Sequence, residues 1–265
     1  MNFSSKLGLG GHSFIEQLGN DPPAAFGEQC AIVSSCLDTG IQLIDTTYYQ
    51  ERIALGNVLK KLQRRHEAII MAWNFFKEPG RENELVGFTQ YEDHHLDAML
   101  VELQTDSIDI LIIHAHEDIE KLNQELALAK QWVESGKVKT VGLGMVERKQ
   151  LEMLPDGHPI TYVLAPYNAF NQGALDMFEM AREMGLRTIA LSPFIRGWKL
   201  DEIGDDTAAV AEILLRWVTC QQLIDHVIVS MRKNEWINAN LKAVNRGQLT
   251  EHEQTLLREW KVRFE

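Results

Sequence analysis

Short apolar runs alternate with helix-length segments along almost the whole of this chain, and that alternation limits its fold more than any other feature. The clearest run is Ile108-Asp109-Ile110-Leu111-Ile112-Ile113-His114, near-continuously apolar and ended by a histidine. Such a run reads as a strand buried on both faces, the kind found in the middle of a parallel sheet. A second run, Ile41-Gln42-Leu43-Ile44-Asp45, is followed by Thr46-Thr47-Tyr48-Tyr49 and so ends in an acid and two phenols. Further strands are predicted over 68–73, 138–143, 160–164, 187–191 and 226–230. Helices are predicted over about 52–65, 92–104, 122–135, 147–154, 174–184 and 208–219, with a short one near 235–243 and another from about 251. Gly40, Gly136 and Gly185 fall where helices should stop, and Asp21-Pro22-Pro23 where the first should start.

From Ile41 onward this makes seven strand–helix units, and an earlier strand near Leu7-Gly8-Leu9 brings the count to eight. Eight such units in 265 residues, with no linker or low-complexity break, predict one α/β domain over 1–265, a closed (β/α)8 TIM barrel. In that fold chemistry belongs to the C-terminal ends of the strands. Asp45 and His114 both stand at such ends. The Gly10-Gly11-His12 turn after the first strand lacks the following glycine and immediate helix of a dinucleotide-binding loop.

The formal charge of −12 argues against nucleic acid and anionic membrane as partners and leaves a small molecule as the expected one. Three cysteines without a paired motif suit a reducing compartment. No basic start leads into an apolar core and no run reaches membrane-spanning length, so a cytoplasmic location is expected. His114 and His116 form an H-x-H, but no third ligand stands at recognisable spacing, and no metal is expected.

Several segments together resemble the aldo-keto reductase family. They are Gly40-Ile41-Gln42-Leu43-Ile44-Asp45-Thr46, the Leu103-Gln104-Thr105-Asp106-Ser107-Ile108-Asp109 lead into His114, and Glu134-Ser135-Gly136-Lys137-Val138. Pro166-Tyr167-Asn168, Ser192-Pro193-Phe194 with Gly197, and Asn240-Leu241-Lys242-Ala243 follow in the same order. The resemblance implies NADP(H) laid across the barrel mouth, hydride passed to a carbonyl, and a tyrosine that protonates the oxygen with help from a lysine, an aspartate and a histidine. Asp45 matches the aspartate and His114 the histidine. The family's tyrosine-to-glycine spacing selects Tyr49, whereas counting forward from Asp45 lands on Gln50 with Tyr48 two positions earlier. Trp73 stands in the lysine position, and Lys77 lies four residues beyond.

The same resemblance implies dinucleotide contacts at Ser192, Phe194, Ser230, Arg232 and Asn240. Tyr48, Trp73 and His116 are candidates for the substrate pocket, Trp73 as a stacking surface and His116 because strand alternation would put it on the same face as His114. At the expected carboxamide contacts the chain carries Gly144-Met145 and Leu164, and at the ring-stacking position Leu191. The expected function is therefore a divergent NADP(H)-linked oxidoreductase of small carbonyls or alcohols. A redox-neutral lyase or isomerase using Asp45, Tyr49 and His114 as acid and base, and a non-catalytic family member, are the alternatives.

Overall fold

The computed structural model describes residues 3–16, 24–81, 84–195, 200–204 and 206–264. Its strands are β1 (Leu7–Leu9), β2 (Leu43–Tyr48), β3 (Ile69–Phe75), β4 (Ile108–His114), β5 (Val138–Gly144), β6 (Ile160–Pro166), β7 (Arg187–Leu191) and β8 (His226–Val229). They form one closed barrel in sequence order, every neighbouring pair parallel, with β8 pairing back onto β1. The helices are α1 (Phe26–Asp38), α2 (Tyr49–Leu62), α3 (Asp93–Leu103), α4 (Ile119–Glu134), α5 (Arg148–Glu152), α6 (Leu175–Glu183), α7 (Leu200–Ile203), α8 (Thr207–Thr219), α9 (Asn234–Arg246) and α10 (Glu251–Phe264). This is the (β/α)8 barrel expected from the alternation. The expected helix start at Asp21-Pro22-Pro23 and the glycine at Gly197 lie outside the described residues.

The apolar runs divide between two layers. Leu43, Met71, Trp73, Ile110, Ile112, Tyr162, Leu164, Ile189 and Ile228 fill the barrel. Their strand neighbours, such as Ile44, Ile70, Leu111, Ile113 and Val163, pack outward against the helices. Burial on both faces is why these strands read as continuous rather than alternating. Gly136 and Gly185 take left-handed φ values of 76° and 75° just past α4 and α6, as helix stops do.

One difference from expectation has a local reason. Helix α2 begins at Tyr49 instead of near Arg52, because the Glu51 carboxylate turns back to accept the Thr47 and Tyr48 N–H groups at 2.6 and 3.3 Å. Arg52, fully buried, then ties the helix to the barrel. Its guanidinium donates to the carbonyls of Thr47, Trp73 and Phe75 and pairs with Glu102.

A concavity of about 810 Å³ opens at the opposite end of the barrel, between α2, α3 and the strand starts. In its wall Arg65 and Lys139 both donate to Asp109, at 2.9 Å and 2.6 Å. That end of a barrel carries stability, not chemistry.

Gly56 marks the closest approach of α2 to α3: a Cβ there would lie 2.5 Å from the Glu102 carbonyl oxygen and 2.8 Å from the Leu103 carbonyl carbon. Replacing a mid-helix glycine by alanine ordinarily stabilises by about 1 kcal/mol. Here backbone would have to move, and overpacking of that kind costs about 1–3 kcal/mol. Gly56→Ala is expected to lower the thermal unfolding midpoint by several degrees; an unchanged or higher midpoint would show that the two helices are not in this contact.

Candidate active site

At the mouth, β2 and β3 bring an acid and an indole together. Asp45 is 7% exposed and Trp73 4%, and Trp73 Nε1 donates to Asp45 Oδ1 at 2.8 Å. The Thr47 hydroxyl approaches the other oxygen at 3.5 Å. A neutral donor thus stands where the family resemblance places a lysine. Lys77 is exposed two residues beyond the end of β3. The indole reaches across to β5, where a Cβ at Gly144 would lie 2.2 Å from its six-membered ring. Gly144, at a position where the resemblance implies a carboxamide contact, is the space that Trp73 requires.

Burial pushes the Asp45 carboxyl up from 3.8 to about 7. The Glu51 charge adds to the rise, while the Trp73 hydrogen bond, the field of His12 and Thr47 oppose it.

The two phenols separate. Pairing of β2 with β3 shifts register between Thr46 and Tyr48, which sets Tyr48 beside Phe75. The Tyr48 ring stands 5.2 Å from that of Phe75 and 5.9 Å from that of His12, centre to centre. Tyr49 is buried as the first residue of α2. Burial, reinforced by Glu51, raises the Tyr48 pKa above its ordinary 10.

His114 ends β4 and stacks on Phe88 at 3.9 Å and 6°, with Phe75 5.9 Å and Trp73 6.3 Å away. Asn74 fixes this wall by accepting the His114 N–H and donating to the Thr89 carbonyl. His114 Nδ1 lies 2.8 Å from the Ala115 carbonyl oxygen, a contact that requires Nδ1 to carry hydrogen and leaves Nε2 an acceptor. Burial lowers its pKa and keeps the ring neutral. His116, two residues on, is turned to α4, where Nε2 meets Glu125 at 2.9 Å. Strand alternation does not reach it, since β4 stops at His114. Among the described residues no group of three or more histidine, cysteine or acidic side chains is placed to hold a metal ion.

Two residues at the mouth had gone unmarked in the sequence. His12, in a short 3-10 turn after β1, pairs through Nδ1 with Glu51 Oε1 at 2.7 Å. The Glu51 carboxylate is fully buried while the imidazole is 33% exposed. Burial opposes charge on His12, but the Glu51 hydrogen bond and the charges of Glu51 and Asp45 outweigh it, with Arg232 working against them; its pKa rises above 6.5. The available signal was Glu51, three residues after Tyr48 at a strand-to-helix junction, the spacing of a capping acid.

Among the positions matched to dinucleotide contacts, Ser230 is exposed just past β8, and Arg232 and Asn240 are half-buried nearby in sequence. Arg232 Nη2 also donates to the His12 and Ile15 carbonyls at 3.0 and 2.7 Å. Ser192 is exposed after β7 and its carbonyl accepts from Asn168; Phe194 is half-buried. Met145, Ser192 and Ile195 hold φ values of 55°, 55° and 62°, so the strained non-glycine backbone just past β5 and β7 lies at the mouth.

Asp45 makes stability fall with pH over a defined window. Below about pH 4 the folded and unfolded states both hold its proton. Between about 4 and 7 only the folded state does, so stability drops as pH rises, and above 7 the difference is constant. Asp45→Asn keeps an acceptor for Trp73 without the charge. Its unfolding midpoint should exceed wild type by about 5–10 °C at pH 8, with the gap shrinking toward pH 5. Thermal scans at the two pH values check this, and a pH-independent gap would contradict it.

Comparison with known proteins gives the family. The family model described as the aldo/keto reductase family matches residues 6–210. Aldo-keto reductase YhdN of Bacillus subtilis is 22% identical over 209 residues, 73% of this chain and 60% of that protein. Probable aldo-keto reductase 1 of Glycine max is 24% identical over 201 residues, 73% of this chain and 57% of that protein. This chain thus spans about three-fifths of the length of the curated relatives it matches. Among solved structures, aldo-keto reductase AKR11C1 from Bacillus halodurans in its holo form superposes with a TM-score of 0.78 at 18% identity, covering 96% of this chain and 91% of that one. An aldo/keto reductase from Klebsiella pneumoniae in complex with NADP and acetate gives 0.76 at 20% identity, covering 97% and 91%. With the model matching well over half of its length, the chain belongs to the aldo/keto reductase family.

Proposed function

We propose that this protein is an oxidoreductase that interconverts a small carbonyl compound and its alcohol with NADP(H) at the C-terminal mouth of the barrel. The observation that carries the reading is the convergence of Asp45, Tyr48, Trp73, Phe75, Phe88 and His114 on one rim, through the contacts from the Trp73–Asp45 hydrogen bond to the His114–Phe88 stack.

The residues present fit such a dinucleotide at its charged end. Ser230 is exposed past β8, with Arg232 and Asn240 near it in sequence, a hydroxyl, a guanidinium and an amide suited to phosphate and adenine. At the other end Met145 and Leu191 offer apolar contact in place of carboxamide hydrogen bonds. The bound group would supply hydride. The chain's own side chains would do the rest. Tyr48, its pKa raised, keeps its proton at neutral pH and can donate a hydrogen bond to a carbonyl oxygen. His114, neutral, offers Nε2 as an acceptor for a substrate hydroxyl. Trp73, Phe75 and Phe88 form an aromatic wall that favours a flat or apolar substrate and keeps water from the reacting oxygen.

A second reading draws support from Asp45, a carboxyl pushed up to about 7 and so usable as a base near neutral pH. In that reading the mouth moves a proton without net redox, by enolisation or elimination.

One set of measurements separates the two. NADPH should quench tryptophan fluorescence saturably and raise the unfolding midpoint, and small aldehydes should then consume it. No binding at millimolar NADPH would overturn the reductase reading. Deuterium exchange into substrate without cofactor, lost in Asp45→Asn, would establish the second.

A further inference from the structure

We infer that His12, oriented by Glu51, is the proton donor of this barrel mouth, delivering a proton from Nε2 to the oxygen of a bound carbonyl compound. The assignment rests on the carbonyl-reduction reading above and names the acid that reading lacks.

The expected acid–base residues leave that place open. A phenol serves as a proton source near neutral pH when a cation lies beside it. Burial and the Glu51 charge raise the Tyr48 pKa instead, and the cation stacked beside its ring is His12 itself, the stronger acid of the two. His114 is neutral, with its Nδ1 hydrogen committed to the Ala115 carbonyl. Asp45 lies at the floor, 7% exposed, with one oxygen bonded to the Trp73 indole and the other facing Thr47.

His12 has what an acid at this site needs. Its ring is one-third exposed, so a bound molecule can reach it, and it is stacked beside Tyr48 at 5.9 Å and 26°. The 2.7 Å contact of Nδ1 with Glu51 leaves Nε2 as the working nitrogen, the arrangement by which a buried carboxylate orients a catalytic imidazole. The charged and titratable groups around it are Glu51 from α2, Asp45 and Tyr48 from β2, and Arg232 from the segment after β8. The buried Glu51 carboxylate in contact with Nδ1, with a smaller contribution from Asp45, outweighs the one guanidinium and favours the protonated ring, and its raised pKa agrees.

The surroundings are built to hold this geometry. Gly11 lets the carboxylate in, since a Cβ there would lie 2.2 Å from Glu51 Oε2 and 2.7 Å from the Asp45 carbonyl oxygen. The His12 turn is pinned independently of its side chain: Ser13 Oγ donates to the Gly10 carbonyl and accepts the Met231 N–H, and Arg232 holds the His12 and Ile15 carbonyls. The loop does not need the imidazole as a brace.

In the reduction direction the carbonyl carbon gains hydride from reduced nicotinamide while its oxygen takes the Nε2 proton. The product is an alcohol, the imidazole is left neutral, and solvent reprotonates it. In the oxidation direction neutral His12 accepts the hydroxyl proton.

The test combines a titration with kinetics. By NMR of the wild-type protein, His12 should titrate above 6.5, and Glu51→Gln should move that midpoint down. His12→Gln should lower kcat for aldehyde reduction by about 10²–10⁴-fold, leave the Kd for NADPH within about twofold, and abolish the fall in rate at alkaline pH. A wild-type midpoint at or below 6.5 overturns the assignment, as does a His12→Gln enzyme with unchanged kcat and pH profile. Those failures are distinct from absence of NADPH binding by the wild-type protein, which overturns the reductase reading and this assignment with it.

Discussion

A carboxylate sunk into the mouth of a barrel has to be answered by a cation, by a dense set of donors or by a proton. At Asp45 the answer is one indole N–H, and the rest of the mouth is arranged around that choice. The Trp73 indole lies across to β5, and β5 makes room for it with a glycine at position 144, so that Trp73 and Gly144 form one steric unit. With a neutral partner, Asp45 keeps its proton far longer than a surface acid, while His12, at another strand end, is shifted toward its protonated form by Glu51.

Helix α2 connects the two features. Its first turn supplies Glu51, which satisfies the backbone at the β2–α2 junction, faces His12 and raises the pKa of both Asp45 and Tyr48. One residue later Arg52 carries the balancing charge inward and bonds the ends of β2 and β3. A buried arginine bonded to carbonyls and to Glu102 is costly to break, because the partners it leaves are buried too. The positions of Trp73 and Tyr48 therefore depend on a pair of charged residues that have no apolar role in the core.

The barrel could be read from the sequence because its signal is repeated: each apolar run is short, buried on both faces and followed by a helix. Asp45 and His114 were legible for the same reason, as polar endings to such runs. The tyrosine was harder. Tyr48 and Tyr49 are adjacent, one spacing argument selects Tyr49 while the other lands on Gln50, and the register shift between Thr46 and Tyr48 that sets Tyr48 beside Phe75 arises from pairing with β3, which no local pattern carries. His116 shows the limit of alternation, which ends where the strand ends. The His12–Glu51 pair joins residues 39 apart and was invisible as a pair, although a capping acid after Tyr48 was readable. Phe88, far from any motif, reaches His114 only because Asn74 ties its loop to β3.

The account stands on the protonation of one side chain. Carboxyl NMR of 13C-labelled protein, with Asp45 assigned by the Asp45→Asn spectrum, measures it directly. The structure predicts a midpoint near 7 for Asp45, with the Trp73 indole N–H shifting over the same range. A midpoint at the ordinary aspartate value near 3.8, with an indole resonance indifferent to it, would contradict the buried acid–indole pair.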